Sequence, residues 1–295
     1  MHPQNTPPRD VVDDLRARGV IDADAVFAPL RGGRTNLSWH ATAAGSAADV
    51  VLKLYRADDQ NPLFPNQPDA ELAALHHLHP KDLAARALAS GQTRSGRWLV
   101  YEHLPGECWT SDVRAVARVL AKLHATSPWD GLRRTVRGSR EIAVQTLLIL
   151  SHCAEGLRDT VMGLRPTEHV APAADLCLIH GDPVPGNMLV DDQGIRLIDW
   201  QCPALGDPCE DLALFLSPAM QYLYRGQTLS VDEQLMFLSA YPSPQRVARY
   251  RALRPWFGWR MVAYCAWRET VGDQDYADAA RFEIRDLTSP THLPG

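Results

Sequence analysis

The chain lacks what several large protein classes require. None of its apolar runs approaches the ~18 residues of a bilayer-spanning helix, so no membrane partner is expected. Its 30 Lys and Arg are outnumbered by 35 Asp and Glu, for a net charge of −5. They form no basic patch, which argues against a nucleic-acid partner. The six cysteines (Cys108, Cys153, Cys177, Cys202, Cys209 and Cys265) show no zinc or redox spacing. Buried free thiols in a reducing cytoplasm are the expectation. The stretch from Met1 to Asp14 is polar and Pro-rich rather than patterned as a signal peptide. A nucleophile elbow and a zinc-hydrolase motif are both missing, which weighs against a hydrolase using Asp182 and His180.

What is present is the make-up of a globular enzyme. Hydrophobic residues account for 45% and charged residues for 22%, the usual balance for a folded domain. A length of 295 residues is enough for two lobes with separate cores. The mild acidity favours a cationic substrate.

The richest segment is Ile179-His180-Gly181-Asp182-Pro183-Val184-Pro185-Gly186-Asn187, followed by Ile198-Asp199-Trp200. It sets an Asp, an Asn five residues later, and a second Asp twelve residues after that. This suits phosphoryl transfer: Asp182 receives a proton from a hydroxyl, while Asn187 and Asp199 offer magnesium the hard oxygen ligands it prefers. Between them, Asn187-Met188-Leu189-Val190 and Ile195-Arg196-Leu197-Ile198 flank Asp191-Asp192-Gln193-Gly194, which reads as a hairpin. A hairpin would bring Asn187 and Asp199 together as a metal clamp. Taken singly, each of these residues is also explained as a turn or cap residue.

His180-Gly181-Asp182 with Asn187, then Ile198-Asp199-Trp200, Gly206-Asp207-Pro208 and Asp211-Leu212-Ala213, resembles the aminoglycoside phosphotransferase and choline kinase superfamily. That resemblance implies a two-lobed, protein-kinase-like α+β fold, with a small antiparallel-sheet N-terminal lobe and a mostly helical C-terminal lobe. The boundary falls near 103, dividing a nucleotide-binding lobe (1–102) from a catalytic and substrate-binding lobe (103–295). It also implies that Asp207 and Asp211 hold the catalytic segment rather than do chemistry. His180 is read as shaping the loop. Several features depart from protein kinases. Asp199-Trp200-Gln201 replaces Asp-Phe-Gly, the catalytic loop has no Arg, and eleven residues between Asp199 and Asp211 leave no room for a long activation segment. A small-molecule kinase is therefore expected. Pro183 and Pro185 either stiffen the catalytic loop or narrow the acceptor site.

In the N-terminal third, Gly32-Gly33 with Thr35 and Asn36 precedes a strand over 37–42, and 49–55 returns. The glycines permit close backbone approach to phosphates, although G-x-G-x-x-G is incomplete and an ordinary hairpin turn explains them equally. Gly-Gly-x-Thr-Asn recurs in choline-, thiamine- and homoserine-kinase-like members of the resembled family, and the resemblance makes Gly32, Gly33, Thr35 and Asn36 nucleotide-binding residues. Lys53 interrupts an apolar strand, where an unpaired ammonium is costly. If it faces inward it requires anions, and Glu71, on a helix over 69–78, is the candidate partner; the alternative is a solvent-facing edge lysine. The segment 97–107 reads as a strand entering a loop, and the resemblance places adenine against backbone groups near Glu102 and Leu104. Helices are expected over 113–125, 140–157, 209–224, 231–240, 245–270 and 273–286. Trp256, Trp259 and Trp267 serve either a cation–π acceptor pocket or the core. Glu269, Asp273 and Asp275 either attract an amine or mark a solvated helix end.

The expectation is a cytoplasmic, ATP- and magnesium-dependent phosphotransferase acting on a hydroxyl of a small, amine-bearing metabolite, as a monomer or homodimer. The alternatives are an antibiotic phosphotransferase and a nucleotide-binding pseudokinase. Retention of Lys53, Asp182, Asn187 and Asp199 argues against the latter.

Overall fold

The computed structural model describes residues 6–30, 35–42, 49–56 and 61–288. Gly32, Gly33 and the turn expected at 44–47 lie outside them. The chain divides into two compact units: Met1–Asn61, Pro65–Glu107 and Arg196–Cys202 form the first, and Pro62–Phe64, Cys108–Ile195 and Pro203–Gly295 the second.

The first unit contains α1 (Arg9–Ala17), β1 (Val26–Pro29), β2 (Leu37–Thr42), β3 (Val50–Leu54), α2 (Pro68–Leu78), β4 (Ala87–Thr93) and β5 (Gly96–Glu102), and the chain passes to the second unit within β6 (Glu107–Cys108). The five longer strands form an antiparallel sheet in the order β1-β2-β3-β5-β4. Alternation sorts its side chains between two faces. Trp39, Ala41, Leu52, Leu54, Trp98 and Val100 form a core with Val11 and Leu15 of α1. Lys53, set between Leu52 and Leu54, therefore points to the other face. Gly91 in β4 is required by packing, because a Cβ there would meet the Trp98 ring at 2.4 Å.

The second unit contains α3 (Val113–His124), α4 (Ser139–Leu150), α5 (Glu155–Met162), β7 (Cys177–Ile179), β8 (Met188–Asp191), β9 (Gly194–Leu197, which runs on into the first unit), β10 (Ala204–Gly206), α6 (Cys209–Leu216), α7 (Pro218–Arg225), α8 (Val231–Ala240), α9 (Pro244–Thr270) and α10 (Asp275–Thr288). Antiparallel β7 and β10 pair around Cys177, Ile179 and Ala204. Two expected helices are each broken in two. The 140–157 helix stops at Leu150, where the Ser151 hydroxyl donates to the Leu148 carbonyl at 2.7 Å. Arg158 then donates to the Leu150 and Cys153 carbonyls at 3.2 and 3.3 Å. The 209–224 helix breaks at Ser217, which Pro218 holds extended (φ −60°, ψ 119°) and whose hydroxyl caps α7 at the Met220 N–H.

Candidate active site

The first unit supplies the buried cation. Lys53 is only 3% exposed. Its Nζ donates to Glu71 Oε2 at 2.6 Å and to Asp199 Oδ1. Burial works against the charged ammonium, but the carboxylates of Asp199 and then Glu71 outweigh it and hold Lys53 above its ordinary range. The Tyr55 hydroxyl also donates to Glu71 Oε2, at 2.7 Å, so the carboxylate is held from two sides. Glu71 is buried on the first turn of α2. Asp199 adopts a left-handed backbone conformation (φ +63°), which Asp tolerates better than most residues. Tyr55 is a partner the sequence reading missed; its place directly after β3, on the Lys53 side of the alternation, is the signal that would have found it.

Asn36 is built into the scaffold. Its Nδ2 donates to Asn66 Oδ1 at 2.9 Å and Gln201 Oε1 at 2.8 Å. Its Oδ1 accepts from Asn66 Nδ2 at 2.9 Å and from the Arg56 N–H at 3.2 Å. Asn36 thus ties the segment entering β2 to Gln201, two residues beyond Asp199. Thr35 is half-buried just before that anchor. Glu102 closes β5, and its N–H donates to the Arg86 carbonyl at 2.9 Å. Leu104 is buried two residues later.

In the second unit a loop runs from β7 through Asp182 to the 3₁₀ turn Pro185–Asn187 and then β8. Gly181 has φ +82°, a conformation suited to glycine. Asn187 Nδ2 donates to the Asp182 carbonyl at 2.9 Å and to Asp182 Oδ2 at 3.1 Å. Those bonds fix the amide nitrogen and leave the amide oxygen, the end a hard cation binds, out of them. His180 Nδ1 accepts the Asp182 N–H at 3.2 Å, which is the loop-shaping role expected for it.

Behind the loop, Asp211 accepts the N–H groups of His180 and Gly181 at 2.8 and 2.9 Å. His124 Nε2 lies 3.0 Å from Asp211 Oδ2, and Tyr241 OH lies 2.8 Å from His124 Nδ1. Asp207 accepts from the Cys209 N–H at 3.0 Å and from Arg249 Nε at 2.7 Å. Both aspartates hold backbone in place. In the Trp-rich stretch of α9, Trp256 and Trp259 are core: they are buried and donate to the Glu168 and Val161 carbonyls at 2.8 and 2.7 Å, while Trp267 is half-buried. Asp273 is paired with Arg268.

A buried ammonium with two carboxylate partners, and an Asp–Asn pair on a pinned loop, are the parts a phosphotransferase needs. The Phosphotransferase enzyme family model matches residues 26–256, and the chain belongs to that family. It is a small-molecule kinase, and its α+β fold is protein-kinase-like.

Among individual proteins, it is 27% identical over 236 residues to the thiamine kinase of Escherichia coli O157:H7 (strain EC4115 / EHEC), covering 76% of this chain and 80% of that one. A crystal structure of choline kinase from Cryptosporidium parvum Iowa II superimposes with a TM-score of 0.66 at 15% identity, covering 94% of this chain and 93% of the other. Spectinomycin phosphotransferase, in complex with ADP and spectinomycin, gives 0.62 at 17% identity over 99% and 100%. Among the described residues no helix is long and apolar enough to cross a membrane.

Proposed function

We propose that this kinase transfers the γ-phosphoryl group of ATP to a hydroxyl of a small, amine-bearing metabolite of the thiamine, ethanolamine or choline kind. The observation that carries the reading is Lys53, an ammonium buried against both Glu71 and Asp199. Such a cation, held by carboxylates and set in an apolar strand, serves to bind phosphate oxygens. The similarity to thiamine kinases supports an acceptor of this size and kind.

In this reading Lys53, oriented by Glu71, contacts the nucleotide phosphates, which Gly32, Gly33 and Thr35 cover. Backbone groups at Glu102 and Leu104 receive the adenine, and Asn36 joins Thr35 at the nucleotide. Asn187 and Asp199 offer magnesium an amide and a carboxylate oxygen, a donor set that fits a hard divalent ion. Magnesium, when bound, neutralises charge on the phosphates. Asp182, its carboxylate held by Asn187, orients the acceptor hydroxyl and takes its proton, a contribution of ~10²–10⁴-fold. The protein works as a monomer or homodimer.

The test is ADP release on a panel of thiamine, ethanolamine, choline, homoserine, methylthioribose and aminoglycosides. Release stimulated by an amine-bearing metabolite supports the reading. Stimulation by aminoglycosides alone would make the protein an antibiotic phosphotransferase. Nucleotide binding without acceptor-dependent release would make it a regulator.

A further inference from the structure

Within the second unit a cavity of about 360 Å³ opens beside the catalytic loop, with Gly181 in its wall. Glu210, on the first turn of α6, also lines it. The Glu210 side chain is 7% exposed. Its Oε2 accepts from Arg260 Nη2 at 3.0 Å, and Arg260 Nη1 in turn donates to Gln145 Oε1 at 2.7 Å. Its other oxygen, Oε1, is buried and has no hydrogen-bond partner among the described residues. A buried carboxylate oxygen left unsatisfied costs free energy, which a donor from solvent or from a ligand would relieve.

We infer that Glu210 Oε1 is the acceptor-recognition point, receiving an N–H group of the substrate, and that recognition turns on that N–H rather than on a fixed positive charge. The inference rests on the proposed phosphotransfer function and specifies its acceptor. Arg260 already balances the Glu210 charge, and Arg133 and Arg134 also line the cavity. Glu141 is committed to Arg137 at 3.0 Å. What the cavity offers a ligand is therefore a lone pair, not net negative charge. A primary amine or an aromatic amino group suits it. A quaternary ammonium has no N–H to give.

The test uses acceptor pairs that differ in this group: ethanolamine against choline, and thiamine against the analogue whose ring amino group is replaced by hydrogen. The N–H member of the pair that is used should have at least tenfold higher kcat/KM. In Glu210→Gln, the amide oxygen satisfies Arg260 and an NH₂ faces the cavity, donor against donor. Its KM for the N–H acceptor should rise tenfold or more, with KM for ATP unchanged.

Should Glu210→Gln unfold, Glu210→Leu with Arg260→Met removes both charges together and serves in its place, folding being checked by circular dichroism. Equal use of both members of each pair, or an unchanged acceptor KM, would overturn the inference. If no acceptor is phosphorylated, the function fails, and calorimetric titration of ethanolamine and thiamine still judges Glu210. Binding weakened tenfold by Glu210→Gln upholds its role, and equal or absent binding removes it.

Discussion

Asp211 holds the backbone of His180, accepting its N–H at 2.8 Å while the same carboxylate takes the Gly181 N–H at 2.9 Å. The chain thus enters its catalytic loop with two amides pinned by one fully buried side chain. Asp211→Asn keeps the shape but sets an NH₂ against N–H donors. Urea unfolding should show a loss of about 3 kcal/mol, the scale of two buried polar groups left unsatisfied. Activity should fall with it, because Asp182 follows directly on the pinned amides.

Lys53→Met leaves the Glu71 carboxylate buried, at 1% exposure, without its cation. Breaking such a pair from one side costs ~3–5 kcal/mol. Adding Glu71→Gln should restore part of that stability and none of the activity. Recovery of turnover in the double variant would show that Lys53 serves only the fold.

Gly186 packs its backbone against α7: a Cβ there would lie 2.5 Å from Tyr224 Cδ1. Gly186→Ala must displace either the ring or the 3₁₀ turn that carries Asn187. The expected cost is about 1–3 kcal/mol, on the scale of overpacking. A lowered kcat is expected beside it. A thermal melt and a rate measurement at saturating substrates check both.

Glu283 gives the fold a pH dependence. Burial first, and the neighbouring Asp286 carboxylate in support, push it from 4.5 up to about 8, against the lowering effect of the Ser217 hydrogen bond. The folded state therefore keeps the proton that the unfolded chain releases above its ordinary range. The stabilisation is complete below about pH 4.5, shrinks as pH rises towards 8, and levels off above it. Glu283→Gln, neutral at every pH, should flatten this part of the curve and raise stability above pH 8 by a few kcal/mol. Parallel curves for the two proteins would contradict the assignment.

Much of the fold was legible in residue pattern. Lys53 betrayed its partner because an ammonium in an apolar strand has few physical solutions, and Glu71 on the next helix was one. The β2–β3 pairing, α3, α8 and the long α9 followed from periodicity. The breaks at 151–154 and at Ser217 did not. At the first, a helical pattern continues while side chains satisfy the freed carbonyls from afar; at the second, Pro218 was masked by apolar residues on both sides. β4 was missed because Ala87-Leu88-Ala89-Ser90-Gly91-Gln92-Thr93 shows little strand alternation, and its Gly91 makes sense only once Trp98 is seen against it. In the site, Asn36 stands out through its motif, while the bonds of its amide to Asn66 and Gln201 have no local signal. Glu210 had no local signal at all, since a carboxylate on a first helical turn is explained by the helix itself.

The most direct measurement follows label from [γ-³²P]ATP into a thiamine or ethanolamine acceptor, with the wild type and with Asp182→Asn. Wild-type protein with magnesium should place the label on the acceptor hydroxyl. Asp182→Asn should lose at least a hundredfold in that transfer while still binding ATP and magnesium, the lower end of general-base assistance. Equal transfer by Asp182→Asn, or label appearing only in inorganic phosphate with every acceptor tried, would contradict the account.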